Sequence, residues 1–406
     1  MTVLSRMAKL GIAAESSAAQ YAAPAFTITF SRPATYRQVI EPLRDTALRG
    51  EGTWLEDAQQ GPWHTEWQVP SDGYPDLAGW YLRAVIGPDT CTPGVTTALT
   101  ASTQAGATTL AVGMAPPAGA VLMIGAGDTL EYARCGTPSG LSVPLTSPLR
   151  FAHNAAEPVL SQASHVFTQT MCAGFPSYSL TMDDGTGPLG WPGCTMSAFR
   201  ITIDAAGYVK FRASWTGFPA AAVSTFTYAA SPMQPMAGWD WAIMQAGITE
   251  WFNGVMSPVL RPVSQPSGPA AAGTIASTRG QKLDLTLSRK TAPMFAINGQ
   301  NSPYVISTGP MRADGTYTAI YEDQADMDLY LAYGQQPVTH VLAQPVLLGG
   351  CSLALGLPRA GWLQGDPENA DTYLAATYRL SGIASPSPGP AVSASLLNFV
   401  SEPYGP

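Results

Sequence analysis

With 406 residues, the chain is long enough for two or three domains. Its 46% hydrophobic content excludes a disordered chain, and 40 glycines and 36 prolines scattered without a period exclude a coiled coil or a collagen-like rod. Charged residues are only 12%, against roughly 25% in an average soluble protein, and the net charge is −8; a surface so poor in charge is either poorly soluble or covered by copies of the same chain.

At the start, Arg6 and Lys9 break up the apolar residues, so no signal-peptide core is expected, and no run of about eighteen apolar residues follows that would span a bilayer. Alternating or β-branched stretches then predict strands at 25–32, 64–70, 165–170, 196–204 and 208–217, and again at 282–289, 316–323, 338–345, 351–357 and 372–382. Turn chemistry separates them, as at Asp204-Ala205-Ala206-Gly207, Asn298-Gly299 and Asp314-Gly315. Two stretches have helical spacing instead. Leu77, Trp80, Tyr81, Ala84 and Val85 make one apolar face, opened by Pro75 and stopped by Gly87-Pro88. A second predicted helix is capped by Asp323 and ended by Gly334.

The two series come in the same order. Trp80-Tyr81-Leu82 resembles Leu329-Tyr330-Leu331, His165-Val166-Phe167 resembles His340-Val341-Leu342, and Cys194-Thr195-Met196 resembles Cys351-Ser352-Leu353. Tyr208 and Thr216-Gly217-Phe218 match Tyr373 and Ser381-Gly382-Ile383 at one common spacing, and Thr29-Phe30-Ser31-Arg32 matches Thr286-Leu287-Ser288-Arg289. The shared order reads as an internal duplication, the alternative being two unrelated β-rich domains. Between the first helix and the next strand the spacing of the halves shortens, which locates an insertion in the first half. Residues 89–163, Thr-, Ala- and Val-rich between Gly and Pro turns, read as a small all-β module that should project from the surface.

Chemistry is sparse. His64, His153, His165 and His340 lack metal-ligand spacing, and Cys91, Cys135, Cys172, Cys194 and Cys351 form no CxxC pair, so they read as core residues of a reducing compartment. No phosphate-binding glycine loop is present, and Gly350-Cys351-Ser352-Leu353-Ala354 only approaches a nucleophile elbow. Asp183-Asp184-Gly185-Thr186-Gly187 reads as a solvated turn. The acidic run Glu322, Asp323, Asp326, Asp328 reads as a helix N-terminus. Trp63, Trp67, Trp80, Trp239, Trp241 and Trp251 fit core and interface packing better than sugar or base stacking. The Lys and Arg residues, 20 in all, rarely cluster, which argues against tight binding to a nucleic-acid backbone. No catalytic, cofactor-binding or metal-ligating residue is assigned, and no enzyme is expected.

The segments GIAAESSAAQYAAPAFTITF, RQVIEPLRDTALRGEGTW running to HTEWQVP, PDLAGWYLRAVIG, KLDLTLSRKTAP, GTYTAIYED, DMDLYLAYG and TYLAATYRL together resemble the tail tube (major tail) proteins of long-tailed, siphophage-type bacteriophages. The resemblance is one of layout and strand phrasing over most of the chain outside the insertion, which itself resembles a β-module carried by various phage structural proteins. It implies a mainly β fold: two tandem β-sandwich or barrel-segment domains, each with one short helix, plus the small inserted all-β domain. The expected division is 1–88 with 164–235 as the first tube domain, 89–163 as the module on the outer surface, 236–385 as the second tube domain and 386–406 as a C-terminal arm.

The resemblance further implies a virion structural protein that polymerises into stacked rings, forming the tail channel for DNA ejection. A duplicated chain would make trimeric, pseudo-hexameric rings, the alternative being a hexamer. Partners would be copies of itself, stacked head to tail, and other tail proteins such as tape measure and terminator. DNA would pass the lumen without specific binding, past neutral or acidic side chains. No cofactor, metal or membrane is implied, and assembly would take place in the host cytoplasm. Residues 1–24, the loop 33–63 and the C-terminal segment are the expected ring-to-ring contacts. A virion adhesin or tail-fibre-like carbohydrate-binding β protein is the alternative reading, although 89–163 contains no Trp.

Overall fold

The computed structural model describes residues 8–30, 34–45, 57–170, 175–229, 231–245, 248–251, 275–277, 280–321, 331, 335–370, 373–383 and 390–405. The chain is mainly β. In the first half the strands are β1 (Lys9–Ala14), β2 (Phe26–Ile28), β3 (Thr35–Ile40) and β4 (Trp63–Asp72), then the helix α1 (Pro75–Val85), then β5 (Tyr178–Asp183), β6 (Leu189–Asp204) and β7 (Lys210–Gly217). In the second they are β8 (Trp241–Gln245), β9 (Ile248–Trp251), β10 (Gly280–Met294), β11 (Val305–Ile320), β12 (Gln335–Ala343), β13 (Ser352–Ala370) and β14 (Tyr373–Gly382), with β15 (Ser393–Asn398) closing the chain.

Neighbour order repeats strand for strand. The first half runs β2-β1-β5-β6-β7-β4-β3, all antiparallel. The second runs β9-β8-β12-β13-β14-β11-β10, again all antiparallel. Even the irregularities coincide. Ser197 bulges out of the β6–β7 ladder where Leu363 bulges out of β13–β14, and the ladder slips at Pro192-Gly193 of β6 and at Pro358-Arg359 of β13. Such a bulge bends a strand, so β6 and β13 each begin in one layer of a sandwich and end in the other. The halves are joined directly, β6 pairing with β10 from Ala198↔Ser288 to Asp204↔Lys282.

This registration revises four sequence expectations. The counterpart of Thr286–Arg289 is Arg37–Ile40 of β3 and not Thr29–Arg32. The counterpart of β12, which carries His340, is β5 and not the strand Ala163–Phe167, which carries His165 and pairs with Asp89–Thr92 and β15. Cys194 aligns with Ala360 instead of Cys351, because the shared phrase is Leu-Gly-Trp-Pro at 189–192 and Leu-Gly-Leu-Pro at 355–358. The loop 33–63 contains β3 and a hairpin of Leu43–Asp45 with Asp57–Gln59. The helix predicted from Asp323 to Gly334 lies outside the described residues, Leu331 apart, as do its acidic run and Cys172.

Helix α1 is buried on every side, as a helix sandwiched between sheet layers must be. Pro75 sits in its first turn, and buried Asp76 accepts hydrogen bonds from Leu77 N–H (2.9 Å) and Ser231 Oγ (2.6 Å). Its C-terminal carbonyls are met from the other half of the chain. Arg289 of β10, 3% exposed, donates to the carbonyls of Val85 (2.8 Å), Ile86 (3.2 Å), Thr170 (3.0 Å) and Gly309 (3.3 Å). A cation on the negative end of a helix is favourable, and here it also ties the two halves together.

Around α1 lies one core that spans both halves, with Trp67, Tyr81, Phe199, Phe211 and Trp215 on one side and Leu283, Leu285, Leu287, Tyr317 and Tyr378 on the other. A second, separate core of Leu110, Val112, Leu122, Ile124, Val143 and Val159 belongs to a four-stranded and a two-stranded sheet formed between Thr96 and Ser161. There His153 is buried between Glu157 (Nδ1–Oε2 2.7 Å) and Glu131 (Nε2–Oε1 2.8 Å). This small unit is anchored: Val121, Met123 and Tyr132 pack on Met233, Cys351 and Phe399, and Gln162 Nε2 donates to the carbonyls of Gly349 (3.0 Å) and Gly350 (2.7 Å).

The C-terminal segment is no free arm. β15 pairs with β13 and with Ala163–Phe167, and Tyr404 is buried against α1, where a Cβ on Gly79 would stand 1.9 Å from its ring.

Candidate assembly surface

Eight strands form a continuous sheet in the order β3-β4-β7-β6-β10-β11-β14-β13, the last represented by its C-terminal half. Strict alternation sorts its two faces. One face carries the core residues Trp67, Val69, Phe211, Trp215, Phe199 and Ile201 and their counterparts. The other carries Thr and Ser interleaved with charges of both signs. Five of its cations are paired in place: Arg37 Nη2–Glu66 Oε2 at 2.8 Å, Arg200 Nη2–Asp284 Oδ1 at 3.1 Å, Lys282 Nζ–Asp284 Oδ2 at 3.6 Å, and close contacts of Lys210 with Asp72 and of Arg312 with Asp314, while Arg212 and Arg379 on the same face carry no ion pair among the described residues. Threonines add a ladder of their own, Thr318 to Thr377 at 3.0 Å and Thr216 to Thr291 at 2.9 Å.

Among the described residues, both ends of the sheet leave backbone groups unpaired. Among the described residues β3 pairs only with β4, and beyond Gly361 β13 pairs only with β14. An open edge of this length is a pairing template. Near it, Tyr36 of β3 is 40% exposed yet packed at a tilt against Trp67 and Trp191 (ring centroids 4.9 and 5.0 Å). Apolar side chains also crowd the tip of the β10–β11 hairpin, where Met294, Phe295, Ile297 and Tyr304 are all exposed. The backbone and side chain of Trp63 donate to Asn301 in this tip (2.9 and 3.1 Å), so it leans on the end of β4.

Where described, the chemistry-bearing residues of the sequence sit apart from one another in the core or in turns. His165 is buried with both ring nitrogens engaged, Nδ1 by Asp89 (2.8 Å) and Nε2 by the Val400 carbonyl (2.8 Å). His340 is buried beside Trp241, with no hydrogen-bond partner for either nitrogen, and burial pushes its pKa down to about 4. Asp183 and Asp184 close tight turns onto Gly185 N–H and Thr186 N–H. Cys135, Cys194 and Cys351 are buried, and desolvation raises each thiol. Trp67, Trp80 and Trp241 are core residues, Trp63 is half-buried and Trp239 exposed; the Trp251 side chain lies outside the description. Among the described residues no group of His, Cys, Asp and Glu could hold a metal, and no helix is long and apolar enough to cross a membrane.

What the sequence reading missed is the edge strand β3. Its phrase Thr35-Tyr36-Arg37-Gln38-Val39-Ile40 is polar and exposed, which hid it as a loop; the signal for it was its position, the place that Asp284–Arg289 holds in the second series. Against known families, a model described as phage tail tube protein matches residues 5–346. No curated protein matches the chain.

Proposed function

The chain belongs to the phage tail tube protein family, and from that premise we propose that it closes with two further copies into a ring, and that rings stack head to tail into the channel through which DNA leaves the virion. The observation that carries this reading is the β6–β10 junction, at which two equivalent four-stranded segments of one chain are already joined edge to edge. The same join, made between chains, consumes both remaining edges, and only a closed barrel removes every edge. Six segments then come from three chains.

In this arrangement 1–88 with 164–235 and 236–385 are the two tube domains. Residues 89–163 form the outer module, and 386–406 are the C-terminal arm, of which Ser393–Asn398 lies as a strand on the body. The paired-charge face lines the channel. A wall on which five cations are matched by carboxylates and only Arg212 and Arg379 stand apart offers little counterion release to a polyanion, so DNA slides past without being held. The exposed apolar tip of the β10–β11 hairpin, with the hairpin of Leu43–Asp45 and Asp57–Gln59, meets the next ring, since β1 within 1–24 is paired on both sides and β3 within 33–63 lies at the lateral edge. That contact is heterologous and does not close, so it builds a filament. Tape-measure and terminator proteins would be further partners, and assembly takes place in the host cytoplasm.

Electron microscopy of the purified protein tests the reading: hollow tubes with a regular axial repeat are expected, and a stable monomer at high concentration, or solid particles without a lumen, would overturn it.

A further inference from the structure

We infer that the C-terminal half of β13 mates with β3 of a second copy of this chain in one register, Gln364 opposite Val39, Asp366 opposite Arg37 and Glu368 opposite Thr35. The inference rests on the tube reading above, but its template lies inside the chain. The first segment presents one lateral row, Thr35, Gln68, Ser214 and Ala198. Its counterpart in the second is Asp284, Thr316, Arg379 and Gln364, a correspondence fixed by the shared bulges at Ser197 and Leu363. At the internal junction Ala198 meets Ser288, four residues beyond Asp284. Carried over, Gln364 meets the residue four beyond Thr35, which is Val39.

The side chains agree with that register. Arg37 is 73% exposed and held on its inner side by Glu66; Asp366, exposed and braced by Gln364 Nε2 at 2.5 Å, would complete a carboxylate–guanidinium–carboxylate row across the seam. A slip of one residue would set Arg37, whose side is fixed by its pairing with Glu66, opposite Gly365 or Pro367, which share the core face of the partner with Tyr378 and Ala376, so the polar face of one copy would run into the apolar face of the next. Slips of two residues would face Asp366 with Thr35 or Val39 and forfeit the pair. Pro367 withholds one N–H from the ladder, which discourages indiscriminate pairing of this edge in the free subunit.

Cysteine cross-linking tests the register. Asp366→Cys and Arg37→Cys in separate chains, mixed and assembled, are expected to give covalent dimers under mild oxidation. The double variant should give closed covalent trimers. Arg200→Cys with Thr286→Cys, the equivalent pair at the internal junction, is the positive control and should close within one chain. Asp366→Cys with Gln38→Cys, on opposite faces, should not cross-link. Tubes that form while Asp366→Cys and Arg37→Cys stay unlinked, with the control closed, would overturn the register and leave the tube reading standing. Failure of the unmodified protein to form rings at all would overturn the tube reading itself.

Discussion

Arg289 shows how much one side chain can carry. It is buried, its guanidinium lies 4.4 Å from the Phe175 ring centroid, and it feeds four carbonyls, two of them at the end of α1. Arg289→Met keeps the stem and leaves those carbonyls in a dry interior, so a loss of about 3–5 kcal/mol is expected, read as a lowered midpoint in denaturant unfolding. The sequence placed Arg289 correctly on a strand, but alternation alone gives no reason for a cation on the core side; only the helix end from the other half supplies one.

His340 makes the pH prediction. Its folded pKa of about 4 lies below the unfolded value of about 6.5, so the unfolded chain binds a proton that the folded one refuses. Stability is therefore full above about pH 6.5 and falls by about 3 kcal/mol as the pH drops towards 4. Asp76 and Asp240, each raised to about 6 by burial, pull the opposite way, since their folded forms take up protons as the pH falls through 6. The measurement is thus a difference. His340→Phe should lose less stability than the parent between pH 6.5 and 4, and parallel pH profiles would rule the effect out.

At the scale of elements, the anchoring of the inserted module makes its removal costly. Joining Thr92 to Ala163 keeps the two stem strands but uncovers Met233, Cys351 and Phe399. Each newly exposed side chain costs roughly 1.5–3 kcal/mol, so the deletion should lower the unfolding temperature while α1 and the eight-stranded sheet persist by circular dichroism. Adding Phe399→Ser to that deletion should improve solubility, measured as the monodisperse fraction by light scattering.

The elements themselves were legible to different degrees. The periodicity of Leu77, Trp80, Tyr81, Ala84 and Val85 gave α1 to within a residue or two, and the β7–β14 match through Tyr208 and Thr216 is the one the ladders show. The mispairing of Cys194 with Cys351 has a physical cause: β6 and β13 differ in length before their bulges, and a conserved-looking thiol carries no backbone information. The Pro at 192 and 358 does carry it, because each marks the slip where the strand changes layer. The edge strand β3 was invisible because among the described residues it pairs on one side only and, Tyr36 apart, its side chains stay largely exposed, so burial does not make it apolar.

The whole molecule makes one more prediction, about symmetry and tilt together. Each four-stranded segment advances the register by four residues, as Ala198 meeting Ser288 in place of Asp284 shows. The stagger therefore equals the strand number, the ratio at which a closed barrel has its strands inclined by roughly 36° to the axis. Only the first segment of each chain carries a module between α1 and β5, so a ring of three chains has a sixfold inner wall and a threefold outer surface. A reconstruction of the tube should show strands tilted by about 36–45° around the lumen, with protruding density on every second segment. Six protrusions per ring would mean that one segment of each chain stays out of the wall, and strands running parallel to the axis would mean that the β6–β10 register is not the one that propagates.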